Sequence, residues 1–167
     1  MKIMKQRCMV VLVDNNAGVL ARISSLFVQR GFNIDSLTVS PTENEKLSRL
    51  TIMTTGDEKT FQQIIKQTGK LVETRLIFLV EPSFSMVREL MLAKYKTSAD
   101  ESAELAELIA SYGGKIADSS DGCIVAQLSD TPQVLDDFLS AARKFKLIEL
   151  GRTGVIAMER GNVSYEL

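Results

Sequence analysis

The residues best suited to chemistry form one short loop, Asp14-Asn15-Asn16-Ala17-Gly18, between an apolar run and an amphipathic stretch. Asp14, Asn15 and Asn16 each carry a side-chain oxygen able to cap the following helix by accepting a backbone N–H. Capping alone accounts for any one of them. The combination allows more, because Ala17 and Gly18 leave the helix start without bulky side chains. Unpaired amides and the positive end of the helix dipole then face outward, and such a helix start receives a carboxylate. A free amino acid also needs an acceptor for its ammonium and an apolar place for its side chain. Asn33 follows Gly31-Phe32 and is expected to return close to the first strand and helix. Its carbamoyl oxygen, or a neighbouring backbone carbonyl, could take the ammonium. The alternative is a turn residue that tolerates unusual backbone angles. Leu20, Ile34 and Leu37 are the candidates for an apolar pocket. The expected binding set is Asn15, Asn16, Ala17, Gly18, Val19, Leu20, Asn33 and Ile34.

Elsewhere the chain offers little to catalysis. It has no histidine, which removes Ser-His-Asp and Cys-His arrangements and the usual imidazole metal ligands. No glycine-rich phosphate loop or dinucleotide fingerprint is present. An enzyme would have to rely on Tyr112, Cys123 or Lys94 acting alone, without clustered carboxylates for acid–base work. Cys8 and Cys123 lie in apolar stretches and read as buried free thiols. Arg22, Arg30 and Arg49 read as surface charges or ion pairs, with Arg49 also a candidate to face a partner protein. The formal net charge of −1, from 20 basic and 21 acidic residues, leaves no basic excess for a nucleic-acid backbone. The middle strands also lack the aromatics that stack on bases. Apolar runs such as residues 8–13 and 76–80 are too short to span a bilayer. The start, Met1-Lys2-Ile3-Met4-Lys5, lacks the long apolar region of a signal peptide. A cytoplasmic protein is expected, binding neither nucleic acid nor membrane.

The elements that must position the loop are legible from periodicity. Residues 8–13 are a near-continuous apolar run, as in a strand in mid-sheet. Val19, Leu20, Ile23, Leu26 and Phe27 make one helical stripe, closed by Gly31 in the left-handed position. A strand over 33–40 ends at Pro41, a polar turn covers 42–46, and the next strand covers 47–55. Asp57 caps a helix carrying Phe61, Ile64 and Ile65, which closes near Gly69, and 71–80 is a fourth strand. The order is βαββαβ. After Glu81-Pro82-Ser83 it repeats: a strand over 87–96 with Leu90, Leu92 and Ala93 buried, a Ser98/Glu101 capping box, and a helix bearing Leu105, Ile109 and Tyr112. Gly113-Gly114 ends that helix. A hairpin follows at Asp121-Gly122, then a helix opened by Thr131-Pro132 with Leu135, Phe138 and Leu139 as its stripe. The last strand, 146–158, is interrupted at Gly151 and Gly154. Met86, Met91 and Met158 read as core or interface filler. The fold class is α+β, two tandem ferredoxin-like βαββαβ domains at residues 1–81 and 82–167. The second has no equivalent loop: Thr97-Ser98-Ala99-Asp100 lacks a glycine, and Lys115 stands where Asn33 does. One site per chain is expected, in the first domain.

Val13-Asp14-Asn15-Asn16-Ala17-Gly18-Val19-Leu20-Ala21-Arg22-Ile23 resembles the opening of an ACT domain, a small amino-acid-sensing module. The stretches 27–39 and 47–52, above all Gly31-Phe32-Asn33-Ile34-Asp35-Ser36-Leu37, resemble the small regulatory subunit of acetohydroxyacid (acetolactate) synthase. Arg88-Glu89-Leu90-Met91-Leu92 and Arg152-Thr153-Gly154-Val155 agree in the second domain, and the resemblance covers essentially the whole chain. It implies a non-catalytic subunit that holds no cofactor itself and pairs as a homodimer through its ACT domains. Its partner would be a large catalytic subunit carrying thiamine diphosphate, a divalent metal and a flavin. That enzyme condenses pyruvate with a second 2-oxo acid at the first shared step of valine, leucine and isoleucine synthesis. The small subunit would raise its activity and confer feedback inhibition by a branched-chain amino acid, usually valine. The family's effector residues carry over onto Asn15, Gly18 and Asn33, at the dimer interface. The alternative is a free-standing ACT-type sensor serving another enzyme or a transcription factor.

Overall fold

The computed structural model describes residues 4–162; residues 1–3 and 163–167 lie outside it. The elements run β1 (Lys5–Asp14), α1 (Val19–Gln29), β2 (Ser36–Pro41), β3 (Leu47–Gly56), α2 (Glu58–Thr68), β4 (Thr74–Leu79), β5 (Ser85–Lys96), α3 (Ala99–Ser111), β6 (Lys115–Ser120), β7 (Cys123–Asp130), α4 (Pro132–Ala141) and β8 (Lys146–Glu159). A short 3-10 turn, Ala142–Lys144, follows α4. The βαββαβ order therefore occurs twice. It makes two four-stranded sheets, ordered β2-β3-β1-β4 and β6-β7-β5-β8. One compact unit comprises the chain up to Met86 together with the residues from Val155 on; the other is residues 87–154. Among the described residues no helix is long and apolar enough to cross a membrane.

In the first unit β1 is the central strand, antiparallel to β3 and β4. Met9, Val10 and Val11 are wholly buried, so the strand is covered on both faces, as its unbroken apolar run requires. Met9, Val11 and Val13 pack with Leu50, Ile52, Val19, Ile23, Phe27, Phe61 and Ile64. The α1 stripe reads as expected. Gly31, at φ 69°, lets the Phe32 N–H return 2.9 Å to the Phe27 carbonyl, and the two rings meet edge to face. Asp57 caps α2 by accepting the Thr60 N–H. β2 begins at Ser36, so residues 33–35 are loop. β4 begins at Thr74, because residues 71–73 turn before pairing starts. Arg49 is half-buried and donates 2.6 Å to the Ala157 carbonyl of the same unit. Cys8 is buried, and burial pushes its thiol up to about 11.

The second unit corrects one register. Ala93 is buried as expected, but Leu92 is 43% exposed and Leu90 half-buried. The core face of β5 is Glu89, Met91, Ala93 and Tyr95. A carboxylate on the buried face breaks the simple parity of apolar residues, and it is tolerated because it is fully partnered. Arg152 Nε and Nη2 reach the Glu89 oxygens at 3.0 and 2.6 Å, and the Gly154 N–H adds a third bond at 3.2 Å. Arg152 Nη1 also holds Asp136 at 2.6 Å. These bonds carry β8 through Gly151 and Gly154 as one strand rather than an interrupted one. Met91 is core, whereas Met86 and Met158 are exposed. The capping box at Ser98 and Glu101, the turn at Asp121-Gly122 and the Thr131-Pro132 helix start all form as read. Gly114 has no room for a side chain: a Cβ there would lie 2.9 Å from both Ile109 Cγ2 and Leu128 Cγ.

Glu89 is buried and Arg152 is not, so removing Arg152 strands a buried carboxylate. Arg152→Ala should therefore destabilise the protein by about 3 kcal/mol, read as an earlier thermal unfolding transition. Arg152→Met with Glu89→Gln should recover much of that loss.

Candidate effector site

The loop of residues 14–18 closes one end of the β1 strand. Gly18 is the N-cap of α1 at φ 87° and ψ −10°, and no side chain caps it. The expected capping by Asp14, Asn15 or Asn16 does not occur, because the first two side chains are engaged elsewhere. Asp14 makes a two-pronged pair with Arg75, both contacts 2.6 Å. Asn15 uses both ends of its amide: Nδ2 donates 2.9 Å to the Glu45 carbonyl, and Oδ1 accepts from Ser48 Oγ at 2.9 Å. Its backbone N–H donates 2.7 Å to the Lys46 carbonyl. The loop is thus tied to β4 on one side and to the β2–β3 turn on the other. Asn16 makes only a local turn, donating its N–H to the Asp14 carbonyl.

What remains is an open helix start. Among the described residues no protein acceptor takes the backbone N–H of Ala17, Gly18, Leu20 or Ala21. The first turn of α1 holds no acidic residue. The helices α2, α3 and α4 instead use Asp57, Ser98 and Thr131 to occupy their own first-turn amides. Among the described α-helices α1 alone has no side-chain cap, and the first-turn N–H groups it leaves without a protein acceptor suit a carboxylate. A Cβ on Gly18 would meet nothing within 4 Å, so the space above the helix start is free. Leu20 is 43% exposed beside it, whereas Val19 is buried in the core and supports the loop from below.

Asn33 is not there. Its carbonyl accepts 2.5 Å from Thr54 Oγ1, and Thr54 lies opposite Arg7 in the β1–β3 register, whereas Asp14 lies opposite Leu47. Residues 7 and 14 are roughly 23 Å apart along a strand at about 3.3 Å per residue. The expectation that Asn33 walls the loop within the same chain is corrected. The reason is topological: α1 runs antiparallel to β1 and returns the chain to the start of that strand. Ile34 and Leu37 travel with Asn33 and lie half-buried against the core.

The structure adds residues that the sequence left unmarked. Glu45 and Ser48 hold Asn15, and Arg75 holds Asp14. At the other end, Asp35 gathers Asn33, Gln6 and Thr55. An Asn-x-Asp spacing was the one available signal for that cluster. Arg22, on α1, is paired with Glu73. Among the described residues no three His, Cys, Asp or Glu come together as a metal ion would need. Two described surface depressions, beside Arg7 and Phe61 and beside Lys144 and Phe145, include no residue of the loop.

The left-handed backbone at Gly18 predicts a graded series. Gly18→Ala should cost about 1–2 kcal/mol of stability, and Gly18→Asn less, because asparagine visits that region more readily. Thermal or urea unfolding of the two variants measures the order.

Comparisons with known proteins bear on the family. Residues 9–75 match the model described as the AHAS small subunit-like ACT domain. Residues 88–161 match the model described as the small subunit of acetolactate synthase. A probable acetolactate synthase small subunit of Archaeoglobus fulgidus is 41% identical over 152 residues, covering 91% of this chain and 95% of that protein. The small subunit of acetolactate synthase isozyme 3 of Escherichia coli is 39% identical over 158 residues, covering 94% and 97%. The crystal structure of the Thermotoga maritima acetolactate synthase small subunit superposes with a TM-score of 0.87 at 35% identity, over 95% of this chain and 99% of that one. An ACT-domain model on the loop-bearing half, a small-subunit model on the other, and relatives alike from end to end leave one assignment: this chain belongs to the acetolactate synthase small-subunit family.

Proposed function

We propose that this chain is the regulatory subunit of an acetolactate synthase, activating a separate catalytic subunit and inhibiting it when a branched-chain amino acid, valine, binds at residues 14–18. The catalytic subunit supplies the thiamine diphosphate, divalent metal and flavin chemistry; this chain supplies none of it. The single observation that carries the reading is the uncapped start of α1, with free amides, no acidic side chain in the first turn and space above Gly18. That is a receptor for a carboxylate rather than for a cation or a reacting bond. The family assignment supplies the enzyme that is regulated.

Half of a site lies at each end of β1, so a complete one needs a second copy. β2 is an edge strand of the first sheet, with β3 on one side only, and an edge strand offers unpaired backbone groups to a partner. Asn33 precedes the start of β2, while the 14–18 loop is bonded to the turn that follows its end. Antiparallel pairing of two β2 edges about a two-fold axis therefore sets Asn33 of one chain beside the loop of the other. The homodimer then carries two equivalent sites.

Two measurements check this. Asn15→Ala unties the loop from Glu45 and Ser48 and should weaken valine binding about ten- to a hundredfold, leaving activation of the catalytic subunit intact. Gly18→Asp, which adds a like charge where the carboxylate docks, should do the same. Equal valine affinity by calorimetry in both variants would move the site elsewhere. Second, a mixed dimer of Asn15→Ala and Asn33→Ala chains holds one site with both changes and one with neither. Co-expressed mixed dimers should recover tight binding at half the stoichiometry; a site within one chain would give no recovery.

A further inference from the structure

We infer that Asp35 is a positioning residue: it orients the Asn33 carboxamide so that the amide oxygen faces the effector, making this end of the site a receptor for an α-ammonium group. This rests on the proposal that Asn33 belongs to the effector site. Asn33 Nδ2 donates 2.7 Å to Asp35 Oδ1. An ionised carboxylate only accepts, so the NH2 side of the amide must face it and the oxygen must point away. Asp35 is itself held. Its Oδ2 accepts from Thr55 Oγ1 at 2.7 Å and from Gln6 Nε2 at 3.2 Å, and its backbone N–H donates 2.8 Å to the Met53 carbonyl. The Thr55 hydroxyl, then Gln6 and Asn33, hold its carboxyl below the usual range, so it stays charged at neutral pH.

The same network narrows the acceptor. The Asn33 backbone carbonyl already takes the Thr54 hydroxyl, so the side-chain oxygen is the less engaged of the two acceptors. With Asp35 gone, the amide can turn over and present its NH2 to an ammonium, a donor against a donor. An acceptor oxygen here also selects the ligand class. It accepts hydrogen bonds from the ammonium of an amino acid and repels the carbonyl oxygen of the corresponding 2-oxo acid.

Calorimetric titration of the full-length protein with L-valine tests the inference on Asn33→Ala, Asp35→Ala, the double variant and Asp35→Asn. Each alanine variant should lose about ten- to a hundredfold in affinity, and the double variant should be no worse than Asn33→Ala, since one residue acts through the other. Asp35→Asn should retain most of the affinity: its amide oxygen replaces Oδ1, and the Thr55 hydroxyl and Gln6 amide can turn to suit. The 2-oxo acid of valine should not compete. Additive losses in the double variant, or a loss in Asp35→Asn equal to that in Asp35→Ala, would overturn the positioning role and leave Asn33 in the site. Unchanged affinity in Asn33→Ala would instead remove Asn33 from the site, and the inference with it. Thermal unfolding reports whether each variant folds; should Asp35→Ala not fold, the Asp35→Asn comparison with Asn33→Ala carries the test.

Discussion

Burial of β1 on both faces is the constraint on which the rest of the first unit depends. Met9, Val10 and Val11 are wholly inaccessible, and Cys8, Leu12 and Val13 nearly so. A strand covered on both sides has no surface on which to place polar chemistry. Polar groups can appear only where it enters and leaves the core. At one end Asp14 and Asn15 turn the chain and anchor it to β4 and to the β2–β3 turn. At the other, Gln6 and Thr55 converge on Asp35, which holds Asn33. The separation of these two clusters is the length of the strand itself. An effector small enough to be one amino acid cannot bridge it, so a site using both clusters must draw them from two chains.

The second unit shows the same topology with its first helix start capped. Its first helix is capped by its own residues: the Glu101 N–H reaches Ser98 Oγ and the Ser98 N–H reaches Glu101 Oε2. Two of its leading amides are thereby taken by its own side chains. Its polar contacts lie elsewhere, where Arg152 of β8 holds the buried Glu89 of β5 and Asp136 of α4. Such a network specifies strand pairing at the cost of desolvating charge. The two repeats share a topology and differ in whether the polar groups at the first helix start satisfy one another.

Element identity was largely legible. The stripe of α1, the Asp57 and Ser98 caps, the Asp121-Gly122 turn and the Thr131-Pro132 start all rest on local physics, and all formed. The readings that failed depended on long-range partners. Leu90 and Leu92 looked like core until Arg152, more than sixty residues away in sequence, made Glu89 acceptable on the buried face. Asn15 looked like a cap until Glu45 and Ser48 claimed both ends of its amide.

By itself the amino-acid sequence determined that this is a doubled βαββαβ chain with one unusual helix start, because periodicity, glycines and capping residues act within a few positions of one another. It also determined the family, through strings that run the length of the chain. Only the tertiary structure decided that the start of α1 is uncapped and that Asn33 stands at the far end of β1. Only it brought Gln6 and Thr55 onto Asp35, the carboxylate that accepts from the Asn33 amide. Each of those facts is set by hydrogen bonds or strand register between segments distant in sequence, and no local pattern encodes which side-chain atom will meet which.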